Sequence, residues 1–417
     1  MPLIPYYPST LDVQTSKSRS VAHQWNAQHT ASTPLEVFVV EDAAGFDALA
    51  AEWNELHELA DSSVFQSFPW LRGWWKHFGE RFPRRQLHLV TIRGRDGLIA
   101  VLPLFIQVTR LNALASMRTL HFIGRGISDC LDVITRPGCE TEVAEILATH
   151  LAGFAQSLDA MDLTGIPDGS LLRRWLVEEL ASRGLKTILD ICDNCPRLTL
   201  GTDWEQTVAA ASGDFRRKLR ARERRLHEYA EIRFETIESP ESLNAAMDDF
   251  VTLHQERLTD KVGRGIYTEE RMEDFHREVC AEFLARGWLF LTFKNMNGRR
   301  VFANCYYYHK NHVYCHLGGA TDIGEAWNHS PGLVLESHCV REALRRGARI
   351  YDFLRGTEPY KYRFGAVNVP LWSITMKKRR VKTVVLGTVG TLFLVAKKFV
   401  FAVFSLLVMR GQGFNLR

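Results

Sequence analysis

Several residue patterns are missing from this 417-residue chain, and each absence removes a class of function. Residues 1–33 are polar and rich in Ser and Thr, without the apolar stretch of a secretory signal. They read as a mobile tail on a cytoplasmic protein. The eight cysteines (130, 139, 192, 195, 280, 305, 315 and 339) are scattered in apolar contexts, unlike the tight spacing of a disulfide scaffold. Free thiols in a reducing compartment fit this pattern. Cys192-x-x-Cys195 lacks a second Cys or His pair at zinc-finger spacing. "HVYCH" (312–316) sets His312, Tyr314 and His316 on one strand face without a zinc motif, so no metal is expected. A Gly-x-Ser-x-Gly elbow and a Walker loop are also absent, which removes the serine-hydrolase and P-loop readings. With a net charge of only +4 and no base-reading motif, nucleic acid is not the expected partner.

What is present is an ordinary globular composition, 46% hydrophobic and 24% charged, in a chain long enough for two cores. After the tail, "LEVFVV" (35–40) reads as a strand, helical patterns cover about 44–60 and 69–79, and strands follow at 86–93, 98–108 and 117–124. A helix at about 140–157, a strand at 158–165, a helix at 170–183 and a strand at 185–191 complete the first half. The second half runs through a helix at about 204–229, a strand at 231–237 and helices at 240–257 and 268–286. Strands at 288–294, 300–310 and 312–320, a helix at 331–346 and a strand at 348–354 follow. The order is alike in both halves: strand, two helices, antiparallel meander, helix, strand. It predicts a duplicated α/β unit with mixed (α+β) sheets. Turn-forming residues in "CDNCPRLTLGTD" put a boundary near 192–203. The expected organisation is a tail at 1–33, domains at 34–195 and 196–376, and a C-terminal segment at 377–417.

The sharpest local signal is "NHSPGLVLESHCVREALRRGARIYDF" (328–353). Ser330 suits an N-cap, Pro331 the first helical turn and Gly332 a close backbone approach, while Gly347 stops the helix. Such a start offers unpaired N–H groups and a positive dipole end, a place for a pyrophosphate; the alternative is a well-capped structural helix. Behind it, "YDFLRGTEPYKYRFG" (351–365) sets Asp352 inside an apolar strand and Arg355, Tyr360 and Lys361 where the strand ends. Desolvation would raise the Asp352 pKa, and a pair with Arg355 or Lys361 would restore it. A buried ion pair fixing the strand end is the structural alternative.

Those residues resemble a family. The Ser-Pro-Gly helix start and the strand ending "DFLRG…YK" are accompanied by "LHQERL" (253–258), "FQSFPWLRGWWKHFG" (65–79), "LPLFI" (102–106) and "SDCLDVI" (128–134). Together, over about 35–376, they are similar to the BcsL/CelD-like acyltransferases of the GNAT superfamily, which are associated with cellulose and other exopolysaccharide systems. That family is similar in turn to the Fem-type transferases, with two GNAT-like units in one chain. The resemblance implies tandem GNAT-like units with a cleft between them. It also implies acetyl-CoA or another acyl-CoA as co-substrate, and transfer to a hydroxyl or amine of a saccharide or polysaccharide precursor. One departure is "NHSPGL", which stands where GNAT enzymes carry a Q/R-x-x-G-x-G/A pyrophosphate loop.

By the same resemblance Ser330, Gly332 and Leu333 would hold the cofactor, and His254 or Asp352 would act as base or substrate orienter. Tyr360 would protonate the leaving thiolate, and Arg257, Arg355 and Lys361 would handle anionic groups. Asp129 and Asp132 would take an acceptor-side or interdomain role, or form a plain run of Asx-turns. No nucleophile stands beside a base, so direct attack in a ternary complex is expected. Two other readings are a Fem-like transferase using aminoacyl-tRNA and a non-catalytic GNAT scaffold of a membrane polysaccharide synthase.

Three further stretches stand apart. Trp70, Trp74 and Trp75 have helical spacing that suits a core more than a sugar platform. "DFRRKLRARERRLHEY" (214–229) carries seven Lys or Arg between 216 and 225 around an apolar seam, an amphipathic helix with a basic face. That face is either simply solvated or turned to a CoA phosphate, an anionic polymer, a membrane or nucleic acid. "KKRRVK" (377–382) precedes an apolar run to 410 broken by Lys397 and Lys398. Each lysine would cost about 2.5–3.5 kcal/mol at a bilayer centre. An apolar helix lying at the inner membrane surface, or packed on protein, is therefore expected in place of a span.

Overall fold

The computed structural model describes residues 34–378 except 112–114, 263–265 and 269. The strands are β1 (Glu36–Val40), β2 (Arg85–Gly94), β3 (Gly97–Arg110), β4 (Ser116–Phe122), β5 (Ile134–Thr135), β6 (Ala160–Pro167) and β7 (Thr187–Thr199). They continue with β8 (Ile232–Thr236), β9 (Leu289–Met296), β10 (Arg299–His309), β11 (His312–Ala320), β12 (Ile350–Asp352) and β13 (Val367–Lys377). The helices are α1 (Ala43–Ala48), α2 (Ala50–Leu59), α3 (Phe68–Phe78), α4 (Glu140–Phe154), α5 (Leu171–Ser182) and α6 (Trp204–Thr207). After them come α7 (Gly213–Tyr229), α8 (Pro240–Val262), α9 (Glu270–Ala285), α10 (Pro331–Arg345) and α11 (Pro359–Arg363).

All the strands join one mixed sheet in the order β1-β2-β3-β4-β6-β13-β7-β12-β11-β10-β9-β8, with β5 beside β3. Each half builds an antiparallel meander, β2-β3-β4 or β9-β10-β11. A helix then returns the chain to a strand parallel to the last one. α4 leads to β6, paired through Thr119↔Ala160 and Leu120↔Met161, and α10 leads to β12, paired through His312↔Ile350 to Tyr314↔Asp352. The helical crossover is what parallel pairing requires.

The short β5 and α11 and the split of 44–60 into α1 and α2 were not expected, and three larger elements also differ from the sequence expectation. The stretch read as turn-rich, 192–199, is the second half of β7, because tertiary pairing with β13 on one side and β12 on the other outweighs its turn propensity. β13 itself escapes periodicity because Pro370 sits inside it. Pro370 lies opposite Asn194 of β7, and β6 joins only from Leu371 onward, so its missing N–H leaves no ladder partner on the β6 side. The helix expected over 204–229 is broken into α6 and α7, and the second piece starts afresh at Ser212, whose Oγ accepts from the Phe215 N–H at 3.1 Å.

The tryptophan stripe is core. Trp70 is fully buried among Phe65, Phe275, Phe283 and Tyr307, with ring centroids 5.0–6.2 Å away, and its Nε1–H donates to Ser128 Oγ at 2.7 Å. These partners come from both halves of the chain, so one apolar core spans them. No helix among the described residues is long and apolar enough to cross a membrane. The basic and apolar segment expected to form a C-terminal helix lies, from residue 379, outside the described residues.

Candidate active site

The site begins where β11 and β12 part. Their last pair is Tyr314↔Asp352; beyond it β12 ends while β11 continues to Ala320. The chain leaves through Leu354, at φ 54°, and Gly356, at φ 108°. Between the diverging segments lies a cavity of about 780 Å³. Its walls are Cys315–Gly318 of β11, the start of α10 and the turn from Phe353 to Lys361. Arg257 of α8 and the first-half loop at Gly126–Asp129 complete them.

Two glycines make room for this. A Cβ on Gly318 would lie 2.8 Å from Arg257 Nη1 and 2.8 Å from Asn304 Oδ1. One on Gly319 would lie 2.6 Å from the backbone N of His254, so only glycine lets α8 pack this closely on β11.

Of the residues read as chemical from the sequence, Asp129, Arg257, Arg355, Tyr360, Lys361, Gly332 and Leu333 line the cavity. Asp129, 6% exposed, pairs with the Arg355 guanidinium. Burial pushes its carboxyl up to about 6 despite that cation. Burial likewise raises the Tyr360 phenol, which stays protonated at neutral pH. Arg257 reaches the cavity without a direct ion pair among the described residues, with Glu336 and Glu358 acting on it from farther off.

Lys361 has a different role from the one expected. Its Nζ donates to the carbonyls of Phe353, Leu354, Arg355 and Gly356 at 3.0–3.4 Å and sits 2.9 Å from Glu358, so the ammonium staples the turn and has no donor left for a ligand.

Asp352 does not line the cavity. It is fully buried, and its partner is neither Arg355 nor Lys361 but Arg197, directly opposite on β7, at 2.6 Å. Burial pushes its carboxyl up, but His312, Arg197 and the Leu354 N–H outweigh that and hold it below the usual carboxylate range. Here the ion pair fixing the strand end is realised, with a different cation. His254 also sits off the cavity wall: its Nδ1 lies 2.9 Å from the Gly318 carbonyl oxygen and must donate to it. Asp132 holds its own turn, accepting from the Val133 N–H at 2.8 Å, and lies outside the cavity.

The α10 start is less open than its sequence suggests. Ser330 takes φ 52°, its hydroxyl makes no cap bond, and it does not line the cavity. Its carbonyl accepts from the N–H groups of Leu333 and Val334 at 3.1 and 3.3 Å, which leaves the Gly332 N–H as the first-turn donor without a helical partner. Below it, the wholly buried Lys294 donates to the Pro331 carbonyl and lies 4.3 Å from the Phe302 ring centroid; burial pushes it down to about 7. A lysine closing the apolar strand 288–294 was a signal of the same kind as Asp352.

Two groups were not foreseen. Glu336, one turn into α10, accepts from the hydroxyls of Tyr306 at 3.0 Å and Tyr351 at 2.8 Å at the cavity wall. His276 and His316 meet Nε2 to Nε2 at 3.0 Å, so one ring donates and the other accepts. Neither contact is visible before the strands are paired.

Residues 213–362 match the model of the acetyltransferase (GNAT) domain. That stretch covers α7 through α11 and so includes most of the cavity wall. Over those residues the chain has the fold of a GNAT domain. No curated protein sequence matches the chain. Among solved structures, that of FemX is similar at 11% identity and a TM-score of 0.54, covering 81% of this chain and 96% of that one. A conserved protein of unknown function from Bacteroides thetaiotaomicron VPI-5482 has 12% identity and a TM-score of 0.49, over 82% of this chain and 100% of that one. L-PGS from Bacillus licheniformis has 14% identity and a TM-score of 0.48, over 84% and 96%. The domain match supports a transferase and leaves the donor and acceptor to be argued from the site.

Proposed function

We propose that the chain moves an acyl group from acyl-CoA to a hydroxyl or amine of a saccharide or exopolysaccharide precursor. The observation that carries this reading is the unpaired edge of β11, which from Cys315 to Ala320 faces the cavity after β12 has left it. The pantetheine arm of CoA is extended and carries two amides, so it would add to that edge as a further strand does. Its phosphates would then lie toward the Gly332 N–H and the dipole end of α10. The acceptor would enter beside Gly126–Asp129. Its oxygen or nitrogen attacks the thioester carbonyl, the C–S bond breaks, Asp129 takes the acceptor proton and Tyr360 returns one to the sulfur. Arg257 faces an anionic group of either substrate.

A second reading has an aminoacyl ester of tRNA in place of the thioester. It is favoured by the exposed face of α7, where Arg220 and Arg225 have no ion-pair partner among the described residues. A thermal-shift series with acetyl-CoA, longer acyl-CoAs and free CoA separates the two, because a ligand of the native state raises its stability by mass action. A shift with CoA esters supports the first reading. No shift with any of them, together with RNA binding that weakens steeply with salt, replaces it by the second.

A further inference from the structure

His57 and Glu58 lie in the last turn of α2, and His309 ends β10 just before the turn at Lys310 and Asn311. Folding brings one potential ligand atom from each of the three within 4.8 Å of the others. The two imidazole rings stack with centroids 4.6 Å apart, and His309 Nε2 lies 3.7 Å from Glu58 Oε1. His57 and His309 are 1% and 2% exposed, whereas the Glu58 side chain reaches in from the surface. None of the three lines the cavity beside β11.

Neither ring nitrogen of His309 has a hydrogen-bond partner among the described residues, an exception for a buried polar group that calls for an occupant. His57 is oriented instead. Its Nε2 lies 2.9 Å from the Ser63 carbonyl, a pure acceptor, so Nε2 carries the proton and Nδ1 the lone pair. A backbone carbonyl fixing the tautomer in this way is the usual outer support of a metal-bound histidine. Lys310 ties the two segments together beforehand, its Nζ donating to the carbonyls of His57 and Ala60. Lys310 faces both imidazoles, Arg286 faces His57 and His312 faces His309, while Glu58 and Asp61 face Lys310. Selection then rests on the donor atoms. Two nitrogens and one carboxylate suit zinc and neighbouring transition metals, while magnesium and calcium prefer oxygen throughout.

We infer that His57, Glu58 and His309 bind one divalent transition-metal ion such as zinc(II), clamping α2 to the β10–β11 hairpin. The clamp joins a helix of the first half to a strand of the second, and it stands whether or not the transferase reading does. Zinc(II) added to the chelator-stripped full chain, followed by desalting and elemental analysis, should leave one equivalent per chain and raise the melting temperature. Glu58→Gln, at an exposed position, should keep the fold and bind zinc at least tenfold more weakly, and His309→Ala should retain none. Since the buried His309 variant is open to misfolding, cobalt(II) in the unaltered chain gives an independent readout: bands without thiolate charge transfer place the ion on nitrogen and oxygen. Absence of retained zinc, affinity unchanged in Glu58→Gln, or thiolate bands each overturn the inference.

Discussion

The two halves of the sheet run the same sequence of elements and finish it differently. In both, a meander passes through a helix to a strand parallel with its last member. After β4 the space is narrowed to a cavity of about 210 Å³ between the loop at Arg125–Leu131 and Thr164–Gly165 of β6. The Ile123 N–H donates to the Pro103 carbonyl, the Leu131 N–H donates to the Gly165 carbonyl, and Trp70 anchors Ser128. After β11 the corresponding space stays open as the larger cavity, of about 780 Å³. What narrows the first opening also serves the second, because the same loop carries Asp129 to the wall of the larger cavity, against Arg355. A repeated architecture thus yields one site, with the other half acting as support and as donor of a carboxylate.

If that division holds, the largest loss should come from the loop the first half contributes. Asp129→Asn should lower kcat/KM about 10²–10⁴-fold, the range of general-base loss. In the unaltered chain the rate should rise with pH through about 6, where the buried carboxyl deprotonates, and the variant should lack that limb. The sign for stability is opposite. Folding favours the protonated carboxyl, so its contribution is full below about 4 and lost as pH rises through about 6. Melting curves across that range should show Asp129→Asn gaining on the unaltered chain.

At the paired end of β12, Asp352→Ala leaves the half-buried Arg197 without its partner and should cost about 3–5 kcal/mol in denaturant unfolding. With Asp352 off the cavity, Asp352→Asn that folds should retain most of its turnover; a selective loss of kcat without loss of stability would return Asp352 to the chemistry. The smallest effect tests the opening itself. Gly319→Ala pushes a methyl to 2.6 Å from the His254 backbone N, which should cost about 1–3 kcal/mol and, by shifting α8, raise KM through Arg257. Unchanged stability and KM would show that α8 is free to move and does not shape the cavity.

Much of the site was legible because chemistry interrupts pattern. Asp352 stands out as a charge in an apolar strand, and the Ser330–Leu333 start announces α10, while Lys294 carried the same kind of signal and was not read. Asp129, Arg257, Arg355 and Tyr360 were drawn from a family likeness, and they meet in one cavity. Roles were harder to read. Lys361 looks like a ligand for anions until four carbonyls converge on it, and Asp352 looks catalytic until β7 sets Arg197 opposite. The His276–His316 contact and the tyrosines on Glu336 join residues 15 to 40 positions apart, beyond any local periodicity.

The sequence by itself determined the kinds of element, their order and the repetition of that order, because hydrophobic period and capping residues act within a few positions along the chain. It also determined which charges would need burial partners. Only the tertiary structure decided which partners they found, where β13 enters the sheet, and that one opening is narrowed while the other stays wide. Those outcomes depend on strand register between distant segments, which no local preference encodes.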